Sequence, residues 1–109
     1  MRNNIIVSKL LKLTNTILIY CDGVNYSEFS GNSMLVEACV FNLSQIGELV
    51  RHLDTEFKTA HTSIPWHQLY GLRNRIVHDY EGVNLALVWE IISNDLPELK
   101  AKLQNIQDE

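Results

Sequence analysis

The feature that most limits what this 109-residue chain can fold into is a stripe of apolar residues at helical spacing: Leu35, Cys39, Leu43, Ile46, Val50 and Leu53. At 3.6 residues per turn they line one face of a long helix, and that face must be buried against other elements. Ile6, Leu10, Leu13 and Ile17 mark a helix over about residues 3–20 in the same way. A further stripe runs through Leu85, Val88, Trp89 and Ile92, and Leu96, Leu99, Leu103 and Ile106 continue it in phase. No segment keeps the two-residue period of a strand for long. The length suits one domain with one core, here residues 1–109. The expected architecture is an all-α bundle of about four main helices.

Local signals set the helix ends. Asp22-Gly23 is turn chemistry and ends the first helix, and Asn32 or Ser33 can cap the second. Residues 58–64 are polar. Pro65 then opens a third helix, with Thr62 or Ser63 as its cap, and Trp66, Leu69, Tyr70, Ile76 and Val77 anchor it up to about His78. Glu81-Gly82 ends that helix, and the last one begins near Asn84. Pro97 interrupts the last helix. It is expected to be kinked or split there, with Asp95 as a new N-cap and Glu98 as its capping-box partner. Trp66 and Trp89 fall in phase with apolar neighbours and belong to the core.

Composition narrows the function. With 46% hydrophobic and 20% charged residues the chain is an ordinary globular one, and no apolar run reaches the length of a bilayer span. The start does not read as a signal peptide, because Lys9 and Lys12 break its apolar stretch and no small-residue cleavage site follows. Cys21 and Cys39 are too few for a disulfide framework or a zinc site and read as two reduced thiols of a cytoplasmic protein. His52, His61 and His67 lack partners at metal-ligand spacing and read as surface residues, so no metal or cofactor is expected. A net charge of −4 argues against a general nucleic-acid coat protein, but not against an enzyme that grips one or two phosphates locally.

Residues 73–80, Arg-Asn-Arg-Ile-Val-His-Asp-Tyr, offer such a grip. Arginine makes paired hydrogen bonds to phosphate and stays charged. Histidine, with an unperturbed pKa of about 6.5, passes protons near neutrality. RNA cleavage needs a base for the 2′-hydroxyl proton, an acid for the leaving 5′ oxygen, and positive charge on the phosphorane. Arg73 and His78 can fill these roles, Asn74 can orient the imidazole, and Tyr80 can bind phosphate or stack a base. Arg75 either adds a second cation, joined by Arg51 or Lys58, or serves in a salt bridge. On a regular helix Asn74 and His78 share a face, Arg73 and Tyr80 align, and Arg73 and His78 stand roughly 140° apart. One copy therefore does not focus Arg73 and His78 on one point, and a two-fold homodimer would complete a composite cleft. By itself the spacing is weak, since Arg and His at a helix end also stabilise its dipole.

The surrounding segments add specificity. Asn-Leu-Ser-Gln-Ile-Gly-Glu-Leu-Val at 42–50, Ile-Pro-Trp-His-Gln-Leu-Tyr-Gly-Leu-Arg-Asn-Arg-Ile-Val-His-Asp-Tyr at 64–80 and Val-Trp-Glu-Ile-Ile-Ser-Asn-Asp-Leu-Pro-Glu-Leu at 88–99 resemble, in order and spacing, the HepT-like branch of the HEPN superfamily. The resemblance implies an up-and-down four-helix bundle that dimerises, with Arg-x-x-x-x-His-x-Tyr lining a cleft between protomers. It implies a metal-independent RNA endonuclease, the toxin of a type VII-like toxin–antitoxin pair whose antitoxin is an MntA-like minimal nucleotidyltransferase. By position Arg73 would steady the scissile phosphate and His78 would be the acid/base. Asn74 would support them, and Tyr80 would accept AMP from the antitoxin, which silences the toxin. The alternative is a non-catalytic helical dimer that binds and assists a nucleotidyltransferase.

Overall fold

A computed structural model describes residues 2–78 and 82–109. Helix α1 (Arg2–Tyr20) runs down one side and turns at Cys21–Gly23, where Gly23 takes the left-handed backbone (φ 72°) that closes the turn. Helix α3 (Ser33–Val50) returns alongside it. The Asn32 side chain caps α3 by accepting the Leu35 N–H (3.1 Å), one of the two caps the sequence offered. The third helix is in two pieces, α5 (Trp66–Tyr70) and α6 (Leu72–Ile76), hinged at Gly71 and packed on the other flank of α3. The fourth runs through α7 (Leu85–Glu90), a π turn (Ile91–Asp95) and α8 (Leu96–Gln107), and α8 closes the ring against α1. The result is an up-and-down four-helix bundle.

The core is the set of stripes read from the sequence. Leu10, Ile17, Cys39, Leu43, Ile46, Leu96 and Leu103 are fully or almost fully buried, and Leu72, Ile76 and Val88 join them. Trp66 is buried, and Trp89 packs half-buried against Phe29 (4.9 Å between rings). Thr14, the buried polar residue of the core among the described residues, gives its hydroxyl to the Leu10 carbonyl (2.8 Å) and so is not left without a hydrogen-bond partner. Cys21 and Cys39 are both free and buried, with sulfurs 3.6 Å apart. Burial raises both thiols above their usual range, Cys39 to about 12 with Cys21 adding to the effect.

Several boundaries differ from the sequence reading. Two short helices interrupt the loops: α2 (Tyr26–Ser30), closed by an Asn25/Glu28 capping box, and α4 (Thr55–Ala60) in a stretch expected to be partly polar loop. Pro65 itself stands at the cap of α5, with φ −80° and ψ 72°, and neither Thr62 nor Ser63 caps it. Asp95 does not restart the last helix. Its backbone is helical and its side chain makes no cap bond, while the Leu96 N–H reaches back five residues to the Ile91 carbonyl. The wider π turn carries the chain to Pro97 without a break, so Pro97 falls in the first turn of α8, where a missing N–H costs little. Glu98 pairs instead with Lys102 (3.4 Å). The last helix is thus split in hydrogen-bond pattern but continuous in path. His61, expected at the surface, is half-buried: its ring lies 4.5 Å from that of Phe57, and Nδ1 is 2.9 Å from the Phe57 carbonyl.

Candidate active site

The third helix ends two residues earlier than its periodicity suggests. After Ile76 the backbone opens to φ −114°, ψ 123° at Val77, and strand β1 (Val77–His78) pairs antiparallel with β2 (Gly82–Val83), Val77 opposite Val83 and His78 opposite Gly82. The Asn84 N–H donates to the Ile76 carbonyl (2.8 Å), which ties down the helix end. Gly82 has φ 80°, a backbone state that a β-carbon would strain. The Asn84 side chain then caps α7 by accepting the Leu87 N–H (3.2 Å).

This hairpin corrects the helical-wheel relations. His78 is not on the helix that carries Arg73 and Asn74, so the shared face of Asn74 and His78 and the 140° offset of Arg73 and His78 do not apply. Leu72 and Ile76 are buried, whereas Arg73 and Asn74 project from the exposed side of α6 and His78 from the exposed side of β1. Among the described residues none of these three side chains is engaged in a hydrogen bond or ion pair within the chain. They stand at one helix end, with a guanidinium and an amide on the last turn and an imidazole on the strand that follows. Such a group can hold a phosphate and exchange a proton beside it. Tyr80 lies outside the described residues.

Arg75 points elsewhere. It is half-buried and lines a cleft of about 280 Å³ between α5–α6 and the π turn and α8, whose lining also includes Asp95, Glu98 and Lys102 together with Leu69, Leu72 and Leu99. No salt bridge to Arg75 forms among the described residues. The cation that shares its cleft is Lys102, which donates to the Ser63 carbonyl (2.7 Å), and not Arg51 or Lys58. Arg51 is held by Glu48 (2.8 Å). Among the described residues no three His, Cys, Asp or Glu side chains come close enough together to hold a metal ion. The sequence reading took Gly82 only as a helix stop and missed both its place opposite His78 and the Asn84 backbone bond that holds the helix end. Gly82 could have been flagged as more than a helix stop, because a glycine shortly before a cap is also hairpin chemistry.

A four-helix bundle with Arg-x-x-x-x-His running from the end of its third helix into the strand that follows is consistent with a HEPN-type domain. The chain belongs to the family described as "Ribonuclease HepT-like", whose model matches residues 10–106. Among curated proteins it is 36% identical over 84 residues to a "Putative RNase" of Caldanaerobacter subterraneus subsp. tengcongensis, covering 77% of this chain and 75% of that one. It is 30% identical over 95 residues to a "Putative RNase" of Methanocaldococcus jannaschii, covering 87% of each. It is also 31% identical over 70 residues to the "Probable ribonuclease HepT" of Thermococcus cleftensis, covering 64% of each. No solved structure matches the chain. Among the described residues no helix is long and apolar enough to cross a membrane.

Proposed function

We propose that this protein is a metal-independent RNA endonuclease in which Arg73 holds the scissile phosphate and His78 moves the protons. The observation that carries the reading is the exposure of Arg73, Asn74 and His78 together at the end of α6 in a chain of the HepT-like family. In the reaction the 2′-hydroxyl loses its proton to an imidazole and its oxygen attacks phosphorus. The bond from phosphorus to the 5′ oxygen breaks, and that oxygen takes a proton, leaving a 2′,3′-cyclic phosphate. Arg73 stabilises the charge that builds on the phosphorane oxygens. Asn74 supports the site as a neutral hydrogen-bonding group.

The rest of the reading rests on the resemblance in residues 42–103. The chain acts as one HEPN-type domain and as a homodimer, in which two copies of the motif line one cleft and the two His78 rings serve as base and acid. The partner is an MntA-like nucleotidyltransferase antitoxin that places AMP on Tyr80, and the added anion blocks the phosphate site. The deciding experiment is RNA cleavage in the presence of EDTA by wild type, His78→Ala and Arg73→Ala. Wild type should yield cyclic-phosphate or 3′-phosphate ends and both variants should lose cleavage. Cleavage that persists in both variants would refute the assignment.

A further inference from the structure

Cys21 and Cys39 come from different helices yet meet inside the protein. Cys21 follows the last turn of α1, its N–H still bonded to the Ile17 carbonyl (3.1 Å) and its own carbonyl accepting the Val24 N–H (3.1 Å). Cys39 sits on the second turn of α3 and is fully buried, whereas Cys21 keeps 8% of its surface. The two sulfurs are 3.6 Å apart, so they touch with no atom between them. A disulfide needs them about 1.5 Å closer, near 2.05 Å. The side chains can supply much of that by rotating about their Cα–Cβ bonds. Cys21 can supply the rest, because it stands in a turn and not inside a helix.

We propose that Cys21 and Cys39 form an intramolecular disulfide when the protein is exposed to a peroxide. Cys21 reacts first, as the less buried of the two residues. Its thiolate attacks one peroxide oxygen, the O–O bond breaks, and Cys21 becomes a sulfenic acid while the other oxygen leaves as water after taking up a proton. The Cys39 sulfur then attacks the Cys21 sulfur and expels the sulfenic oxygen as a second water. In sum two thiols and one hydrogen peroxide give one disulfide and two waters. Both thiols are raised by burial, so the reaction is slow at neutral pH and quickens as pH rises.

The bond would close a segment spanning 18 positions that contains all of α2. Phe29 of α2 packs on Trp89 of α7, and α7 begins directly after the hairpin that carries His78. Oxidation therefore ties down the corner on which that end of the bundle rests. In the chain-entropy view a loop of this size raises the melting temperature by roughly 10 °C.

The test takes the full-length reduced protein, adds hydrogen peroxide at pH 8.5, and follows intact mass under denaturing, non-reducing conditions. The expected product has lost two hydrogens and gained no oxygen at either cysteine, oxygen on the exposed Met34 being set aside by the peptide map. It yields one peptide pair joined through Cys21 and Cys39, melts higher, and reverts with dithiothreitol. Amide exchange in α2 should slow in the oxidised form. Cys21→Ser and Cys39→Ser should each abolish the product, and the peptide map of wild type decides the matter even if a variant fails to fold. Stable oxygen addition at Cys21, disulfides only between chains, or two thiols still free after prolonged oxidation would each overturn the proposal.

Discussion

Gly47 is where the bundle leaves no room for a side chain, and Gly47→Ala tests how tightly the scaffold positions the site. It lies buried in α3, and a β-carbon added there would stand 2.8 Å from the Leu69 carbonyl oxygen and 3.2 Å from that of Tyr70. Both are main-chain atoms, so no rotamer change relieves the contact and α5 itself must withdraw. Overpacking of this kind costs about 1–3 kcal/mol. Alanine regains about 1 kcal/mol over glycine in a helix interior. Because main-chain atoms cannot turn aside, the upper half of that range applies, about 2–3 kcal/mol, and the net loss is about 1–2 kcal/mol. Gly71→Ala is the control: the nearest atoms to its added β-carbon are at 3.7 and 3.9 Å, and φ is −88°. That change should leave stability equal or raise it by up to about 1 kcal/mol. Urea unfolding with a slope near 1–2 kcal/mol/M would separate the two by about 1 M in midpoint. Because Tyr70 leads directly into α6, Gly47→Ala should also slow RNA cleavage. A Gly47→Ala protein as stable as wild type would refute the close-packing argument.

Other substitutions probe the site and the buried thiols. Gly82→Ala meets no atom within 4 Å, so its cost of about 1–2 kcal/mol should come from the left-handed backbone alone, and Gly82→Asn should recover part of the lost cleavage. Asn84→Ala removes the side-chain cap of α7 and should lower stability by about 1 kcal/mol in thermal melts. The thiols give a pH dependence. Their pKa values are raised in the folded state, so the stabilisation is complete below the unfolded value near 9 and is lost as pH rises toward about 12 for Cys39. The melting temperature of wild type should therefore fall between pH 9 and 12 more steeply than that of Cys39→Ala. A thiol reagent at pH 8 should label the native chain far more slowly than the urea-unfolded one.

Periodicity exposed the long helices because each has one continuous buried face: Leu43 and Ile46 on α3, Leu10 and Ile17 on α1, Leu96 and Leu103 on α8. Asn32 was legible as a cap, and Asn84 as the start of the last helix, because capping is a local reaction of one side chain with the next turn. Short helices escaped for the converse reason. Helix α4 has only Phe57 as a large apolar anchor, and the Asn25/Glu28 box of α2 was visible in sequence but introduces no stripe. The π turn escaped because a five-residue bond and a restarted helix keep the same apolar face, and only the hydrogen-bond pattern separates them.

The end of α6 shows most plainly what a periodic reading misses, and it bears on how the site works. Val77 fits the helical pattern, and nothing local forbids a further turn. The helix stops because the Ile76 carbonyl is taken by the Asn84 N–H and the next two residues pair with Gly82 and Val83, partners that lie beyond the motif. Arg73 and Asn74 are therefore set by the packing of Leu72 and Ile76, while His78 is set by strand register and by the backbone freedom of Gly82. Two mechanical systems hold the two halves of one motif. A change that loosens the hairpin should displace His78 and leave Arg73 in place, so Gly82→Ala should depress kcat while RNA binding through Arg73 survives. Gly47→Ala acts on α5, just before α6, and should weaken RNA binding as well as turnover. If both substitutions change KM and kcat in the same proportion, the helix and the hairpin move as one body and this division of labour is wrong.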